Sequence, residues 1–144
     1  MKILLLGTAG YHPNERRHTA CVMLPELGIV LDAGTGFFRV REHLQTPTLD
    51  ILLTHAHLDH VAGLTFLLDT AWERGLSRIT VHGEAPKLAA IREHLLSELL
   101  FPAPLNCEWQ PLGERPLAIA GLKVTHFPLE HPGGCVGYRL DWPG

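Results

Sequence analysis

The sequence predicts a layered α/β domain, and three observations carry that prediction. Strand-like apolar runs alternate with helical spacings through the first two-thirds, a succession of short strands follows from about residue 105, and no flexible linker, repeat or low-complexity tract divides the chain. With 144 residues, 46% of them hydrophobic, there is enough chain for one core and no reason to propose two, so residues 1–144 are read as a single domain.

Met1-Lys2-Ile3-Leu4-Leu5-Leu6 reads as a buried first strand over 2–6. Its apolar run is too short for a signal-peptide core, and no stretch approaches a membrane span. Strands over 20–25 and 28–32 are joined by a tight connection at Leu27-Gly28. The turn Asp32-Ala33-Gly34-Thr35-Gly36 follows, and Asp32 either caps the next helix or orients a neighbouring loop by hydrogen bonds. This turn is no dinucleotide fingerprint, because the third glycine is missing and Asp32 precedes the pair. A short helix over 37–45 ends before Pro47, and a strand over 49–54 comes next. Val61 opens a helix that runs to about Glu73 and stops at Gly75.

Ile79-Thr80-Val81 is a strand, and 84–99 carries apolar residues at Leu88, Ile91, Leu95 and Leu99, the spacing of one helical face. His94 lies off that stripe and faces solvent, and Pro102 and Pro104 break the helix. Strands over 106–110, 116–119, 122–127 and 135–140 complete the chain. His82 and His126 read as hydrogen-bonded core or surface residues.

The net charge of −3, with ten histidines counted neutral, gives no basic footprint for nucleic acid. One basic site stands out: Arg16-Arg17-His18, with His12 just upstream, in a polar loop. It is either a solvated turn or a contact for phosphate. The cysteines, Cys21, Cys107 and Cys135, are odd in number and lack close spacing. They suit a reducing, cytoplasmic compartment and small core positions rather than ligands or nucleophiles.

Residues 55–60 read His-Ala-His-Leu-Asp-His, four potential metal ligands in six positions directly after an apolar run. Capping of the next helix would explain Asp59 and leave three histidines unexplained. A bound cation explains them together. Imidazole and carboxylate suit zinc, iron or manganese, and the absence of cysteine favours an open catalytic site over a closed structural one. Along extended chain His55 and His57 project the same way and can grip one ion, while Asp59 and His60 can turn towards a second.

These motifs together resemble the metallo-β-lactamase-fold hydrolases. His55-Ala56-His57-Leu58-Asp59-His60 is similar to their His-x-His-x-Asp-His signature. Leu6-Gly7-Thr8-Ala9-Gly10, Arg17-His18-Thr19-Ala20-Cys21 and Leu31-Asp32-Ala33-Gly34-Thr35-Gly36 look like the opening of the ribonuclease Z and phosphodiesterase branch. The segment from Phe127 to Arg139, with His131-Pro132-Gly133-Gly134, is similar to the one that donates a third histidine.

The resemblance implies an αββα sandwich, with His55, His57 and His131 on one ion and Asp59 and His60 on another. It also implies a later bridging aspartate and a final histidine, for which the residues after Tyr138 offer no match. The chain is therefore expected to be the amino-terminal half to two-thirds of a longer domain. Implied as well are two zinc ions in the complete domain, with manganese or iron as substitutes, and a homodimer. The loop of Arg16 and Arg17 is expected close to the metal cleft, and Asp32 is expected to position the metal loop.

The expected activity is metal-dependent hydrolysis of a phosphodiester by hydroxide generated at the ions, with Asp59 orienting or deprotonating the water. Transfer-RNA 3′-end processing, as in ribonuclease Z, is the named substrate reading. A small-molecule or cyclic-nucleotide phosphodiesterase is the alternative, which the acidic balance favours, and a non-catalytic metal-binding fragment or interaction module is the alternative of another class.

Overall fold

A computed structural model describes residues 1–143. Among these residues nine strands form two sheets, a six-stranded one in the order β1-β2-β3-β4-β5-β6 and a three-stranded one in the order β7-β8-β9. The first contains β1 (Leu4–Gly7), β2 (Cys21–Leu24), β3 (Ile29–Leu31), β4 (Thr48–Leu52), β5 (Arg78–Gly83) and β6 (Glu108–Pro111). The second contains β7 (Leu117–Ile119), β8 (Leu122–Leu129) and β9 (Cys135–Asp141). β1, β2 and β3 pair antiparallel, β3 through β6 pair parallel, and the small sheet is antiparallel.

Period-two alternation assigns each strand's side chains to two cores. Met23, Val30, Leu49, Ile51 and Val81 face the helices, in a cluster with Phe37, Val40, Leu64, Leu67, Leu88 and Ile91. Leu24, Ile29 and Leu52 face the small sheet and meet Ile119, Leu122 and Val124. The layers are thus helices, large sheet and small sheet. Among the described residues every helical segment gives its buried apolar residues to the first cluster and none to the second.

Each parallel strand reaches the next through helical chain. A 3-10 segment, Thr35–Arg39, runs into α1 (Val40–His43) between β3 and β4. Between β4 and β5 lie α2 (Leu58–Val61), a 3-10 segment (Ala62–Phe66) and α3 (Leu67–Arg74), which Gly75 ends in the left-handed conformation with φ +58°. Between β5 and β6 lie α4 (Ala85–Ala90) and a π turn (Ile91–Leu95). The expected turn at Leu27-Gly28 is present, with Gly28 at φ +64° and Leu27 N–H donating to the Leu24 carbonyl at 3.2 Å.

The expected helix over 84–99 is shorter than its apolar spacing suggested. The π turn, closed by Leu96 N–H on the Ile91 carbonyl at 3.0 Å, adds a residue to the turn and shifts the phase of the residues beyond it. Leu99, predicted on the buried stripe, is 96% exposed. His94 is exposed, as its position off the stripe predicts. His82 is buried, with Nε2 at 2.9 Å from Asp50 Oδ1, and His126 sits half-buried in β8. No helix of the described residues is long and apolar enough to cross a membrane.

Candidate metal centre

β3 and β4 are parallel neighbours, so their carboxyl ends bring Asp32 and the loop Thr54–His60 to one edge of the sheet, where open α/β folds place ligands. Asp32 is buried and holds φ +58°, a left-handed conformation uncommon outside glycine. Its Oδ1 accepts the Thr54 backbone N–H at 2.8 Å, and its Oδ2 accepts His60 Nδ1–H at 2.7 Å.

Thr54 Oγ1 lies 2.8 Å from Asp32 Oδ2 and 2.9 Å from His55 Nδ1. A hydroxyl has one proton to give, and the charged carboxylate is the stronger acceptor, so Thr54 donates to Asp32 and accepts from His55 Nδ1–H. Both rings are thereby tethered through Nδ1 and present Nε2. Gly34 completes this packing, since a Cβ there would stand 2.2 Å from the Asp59 carbonyl oxygen. Asp32 therefore hydrogen-bonds into the loop rather than capping a helix; the helical turn at Thr35 has no side-chain cap.

His131 arrives from the other sheet. The β8–β9 hairpin turns through Gly133 and Gly134, at φ +80° and +78°, with Gly134 N–H donating to the His131 carbonyl at 2.8 Å. Two bonds fasten this hairpin to the loop: Val136 N–H to the Thr54 carbonyl at 3.0 Å, and Tyr138 O–H to the Leu53 carbonyl at 2.8 Å. As a result, ligand atoms of His55, His57 and His131 all lie within 4.8 Å of one another. His131 Nε2 is 3.2 Å from His57 Nδ1.

Asp59 and His60 stand beside this trio. His60 Nε2 is 3.4 Å from Asp59 Oδ2, and the His55 and His60 ring centroids are 4.0 Å apart. α2 has His57 as its N-cap residue and no side-chain cap, so Asp59 is left facing the cleft. Burial, reinforced by the charge of His60, pushes His55 down to about 4, which keeps its ring neutral and able to donate a lone pair near pH 7. For His60 burial acts in the same direction, but the hydrogen bond and charge of Asp32, with Asp59, outweigh it and raise the value.

The donor set fits a borderline divalent cation. It offers imidazole nitrogen and carboxylate oxygen, two rings are oriented through their other nitrogen, and His57 and His131 are exposed, leaving an approach open to solvent.

The cleft has a volume of about 560 Å³, and Tyr11, Thr54, Leu129, Glu130 and Cys135 join the histidines and aspartates in lining it. Sequence reasoning missed Tyr11, because a lone exposed aromatic in a polar loop carries no spacing signal. It also missed Thr54, whose role exists only once Asp32 and His55 flank it. Arg16 and Arg17 are exposed, with their backbone N–H groups on Asn14 Oδ1 at 3.0 Å, and neither lines this cleft. The loop does reach the site, through Tyr11. Cys21 is a core thiol as expected, whereas Cys135 corrects the expectation that all three cysteines fill the core. It opens β9 at the cleft, with Sγ 3.8 Å from His55 Nδ1.

The family described as beta-lactamase superfamily domain matches residues 28–144. This chain belongs to that superfamily. The metallo-β-lactamase fold accounts for its two facing sheets and for the placement of the histidine loop. Ribonuclease Z of Bradyrhizobium diazoefficiens is 34% identical over 138 residues, covering 90% of this chain and 46% of the relative. Ribonuclease BN of Erwinia tasmaniensis is 31% identical over 153 residues, covering 98% of this chain and 49% of the relative. The chain thus spans about half the length of the curated relatives it matches. Among solved structures, the metallo-β-lactamase fold protein YhfI from Bacillus subtilis aligns with a TM-score of 0.72 at 18% identity, over 96% of this chain and 56% of that one. Zinc-bound PqqB from Methylobacterium extorquens aligns with a TM-score of 0.66 at 18% identity, over 99% of this chain and 62% of that one. These likenesses concern the fold.

Proposed function

We propose that the protein of which this chain is a part is a metal-dependent phosphodiesterase, and that its substrate is the phosphodiester backbone of RNA, as in the transfer-RNA 3′-end processing of ribonuclease Z. The observation that carries the first half is the convergence of His55, His57 and His131 from two sheets, with Asp59 and His60 beside them. The ribonuclease names of the relatives support the second half.

In this reading His55, His57 and His131 hold one cation, and Asp59 and His60 serve a second. Zinc is the metal of choice, with manganese or iron as substitutes. Such ions supply Lewis acidity to phosphoryl oxygens and lower the pKa of water. The chain's own groups do the rest. Asp32 and Thr54 fix the two rings through Nδ1, so that Nε2 of His55 and of His60 present lone pairs without rotating. The Asp59 carboxylate, within reach of the same space, orients the attacking water and accepts its proton at Oδ1 or Oδ2. Arg16 and Arg17 meet phosphates further along the substrate. A homodimer and a cytoplasmic location complete the reading.

Metal analysis tests the site. Wild-type protein is expected to retain at least one zinc equivalent that His57→Ala loses, and equal content in both would defeat the assignment. For the activity, the protein with its full domain is expected to cleave bis(p-nitrophenyl) phosphate and to stop when a chelator is added. No turnover after zinc or manganese loading would remove the phosphodiesterase reading. A small-molecule phosphodiesterase is the second reading, favoured by the acidic balance and by an apolar cavity beside the histidine loop.

A further inference from the structure

An apolar cavity of about 330 Å³ lies against the histidine loop. Ala56, Leu58 and Val61 form one side of it, Ile91 and Leu95 the other, and His94 is the one titratable group in its lining. It is not isolated from the cleft. A wider depression of about 690 Å³ shares Ala56 and Leu58 with it and shares Tyr11, His57 and Asp59 with the histidine cleft. Along the chain the linings alternate: His55 and His57 line the cleft, while Ala56 between them and Leu58 after them line the cavity.

A lone exposed leucine is ordinary on a protein surface. Leu58 differs in its place: it is 68% exposed and lines both the aliphatic recess and the depression that adjoins the histidine cleft. The recess offers one imidazole and otherwise hydrocarbon. A nucleobase or sugar there would lose water from several polar atoms with one partner to replace it, whereas an aryl or alkyl group would lose none.

Resting on the small-molecule phosphodiesterase reading above, we propose that this cavity receives an aryl or alkyl ester group of a substrate whose phosphoryl group sits at the histidines, and that Leu58 is a specificity-determining residue for it.

Three non-hydrolysable probes test this: methylphosphonate, phenylphosphonate and benzylphosphonate, titrated calorimetrically into the zinc-loaded protein. At least one aryl probe is expected to bind about tenfold more tightly than methylphosphonate, the scale of discrimination an apolar pocket provides. Amide shifts specific to the aryl probes are expected at Ala56, Leu58, Ile91 and Leu95. Leu58→Ser, at an exposed position, and Ala90→Glu, at a half-buried helix position lining the cavity, are expected to erase most of the gain.

Equal affinity for all three probes overturns the proposal while leaving the phosphoester reading intact. Failure of all three to bind defeats that reading, and the cavity assignment with it. A concentration-dependent dimer that Leu58→Ser abolishes, with no aryl preference, gives the recess to a second copy and overturns the proposal too.

Discussion

Asp32 joins two histidines that the family resemblance assigns to different ions, directly for His60 and through Thr54 for His55. Removing it frees both rings, so Asp32→Ala is expected to weaken zinc binding by about 10- to 100-fold, read by competition against a chromophoric chelator. In metal-free protein the two rings impose opposite pH dependences. The His60 value is raised, so its contribution is full below the ordinary 6.5 and is lost as pH climbs through the higher folded value. The His55 value is pushed down to about 4, so its contribution is full above 6.5 and is lost as pH falls through about 4. The melting temperature of the metal-free chain is therefore expected to drop between pH 6.5 and 4, with His55→Gln flattening the drop. The residue types of this candidate centre were legible from sequence because four potential ligands in six positions have no other economical use. Thr54, Tyr11 and Cys135 were not, since each reaches the site beside residues distant in the chain, Thr54 beside Asp32 and Cys135 beside His55.

The strands that hold the loop bury three polar side chains, Asp50 in β4 and Thr80 and His82 in β5. Asp50, in β4, accepts from Arg78 Nη2 at 2.8 Å and lies 2.9 Å from His82 Nε2, tying β4 to β5. His82 Nδ1 is buried without a hydrogen-bond partner, so this ring has no second tether. Asp50→Ala is expected to cost about 2 kcal/mol, chiefly by stranding His82, with urea denaturation as the measure. Gly34 constrains the same region from the other side. Gly34→Ala forces the Asp59 carbonyl away, and about 1–3 kcal/mol of lost stability together with weaker zinc binding is expected. Strand positions were readable because buried parallel strands are apolar on both faces. The end of the last helix was not, because a regular 3.6-residue spacing carries no mark of the π turn at Ile91–Leu95 that breaks it.

At the scale of the molecule, the centre depends on two sheets keeping their alignment. Leu52, fully buried, packs with Leu24 and Ile29 against Ile119, Leu122 and Val124 of the small sheet. Leu52→Ala is expected to cost about 2–5 kcal/mol and, by loosening the hairpin that carries His131, to lower zinc affinity without touching a ligand. The layered arrangement was legible in the order of helices and strands, whereas the pairing of Thr54 with Val136 rests on contacts no local pattern encodes. The histidines of the central loop and that of the hairpin are separated by more than seventy positions of chain. During synthesis, then, a ribosome releases two of the three rings long before the third, and a nascent polypeptide has no complete grip to offer an ion. On the proposed assignment, the three-histidine grip is complete only after the hairpin has emerged and closed over the loop, which places metal capture late in the birth of this protein.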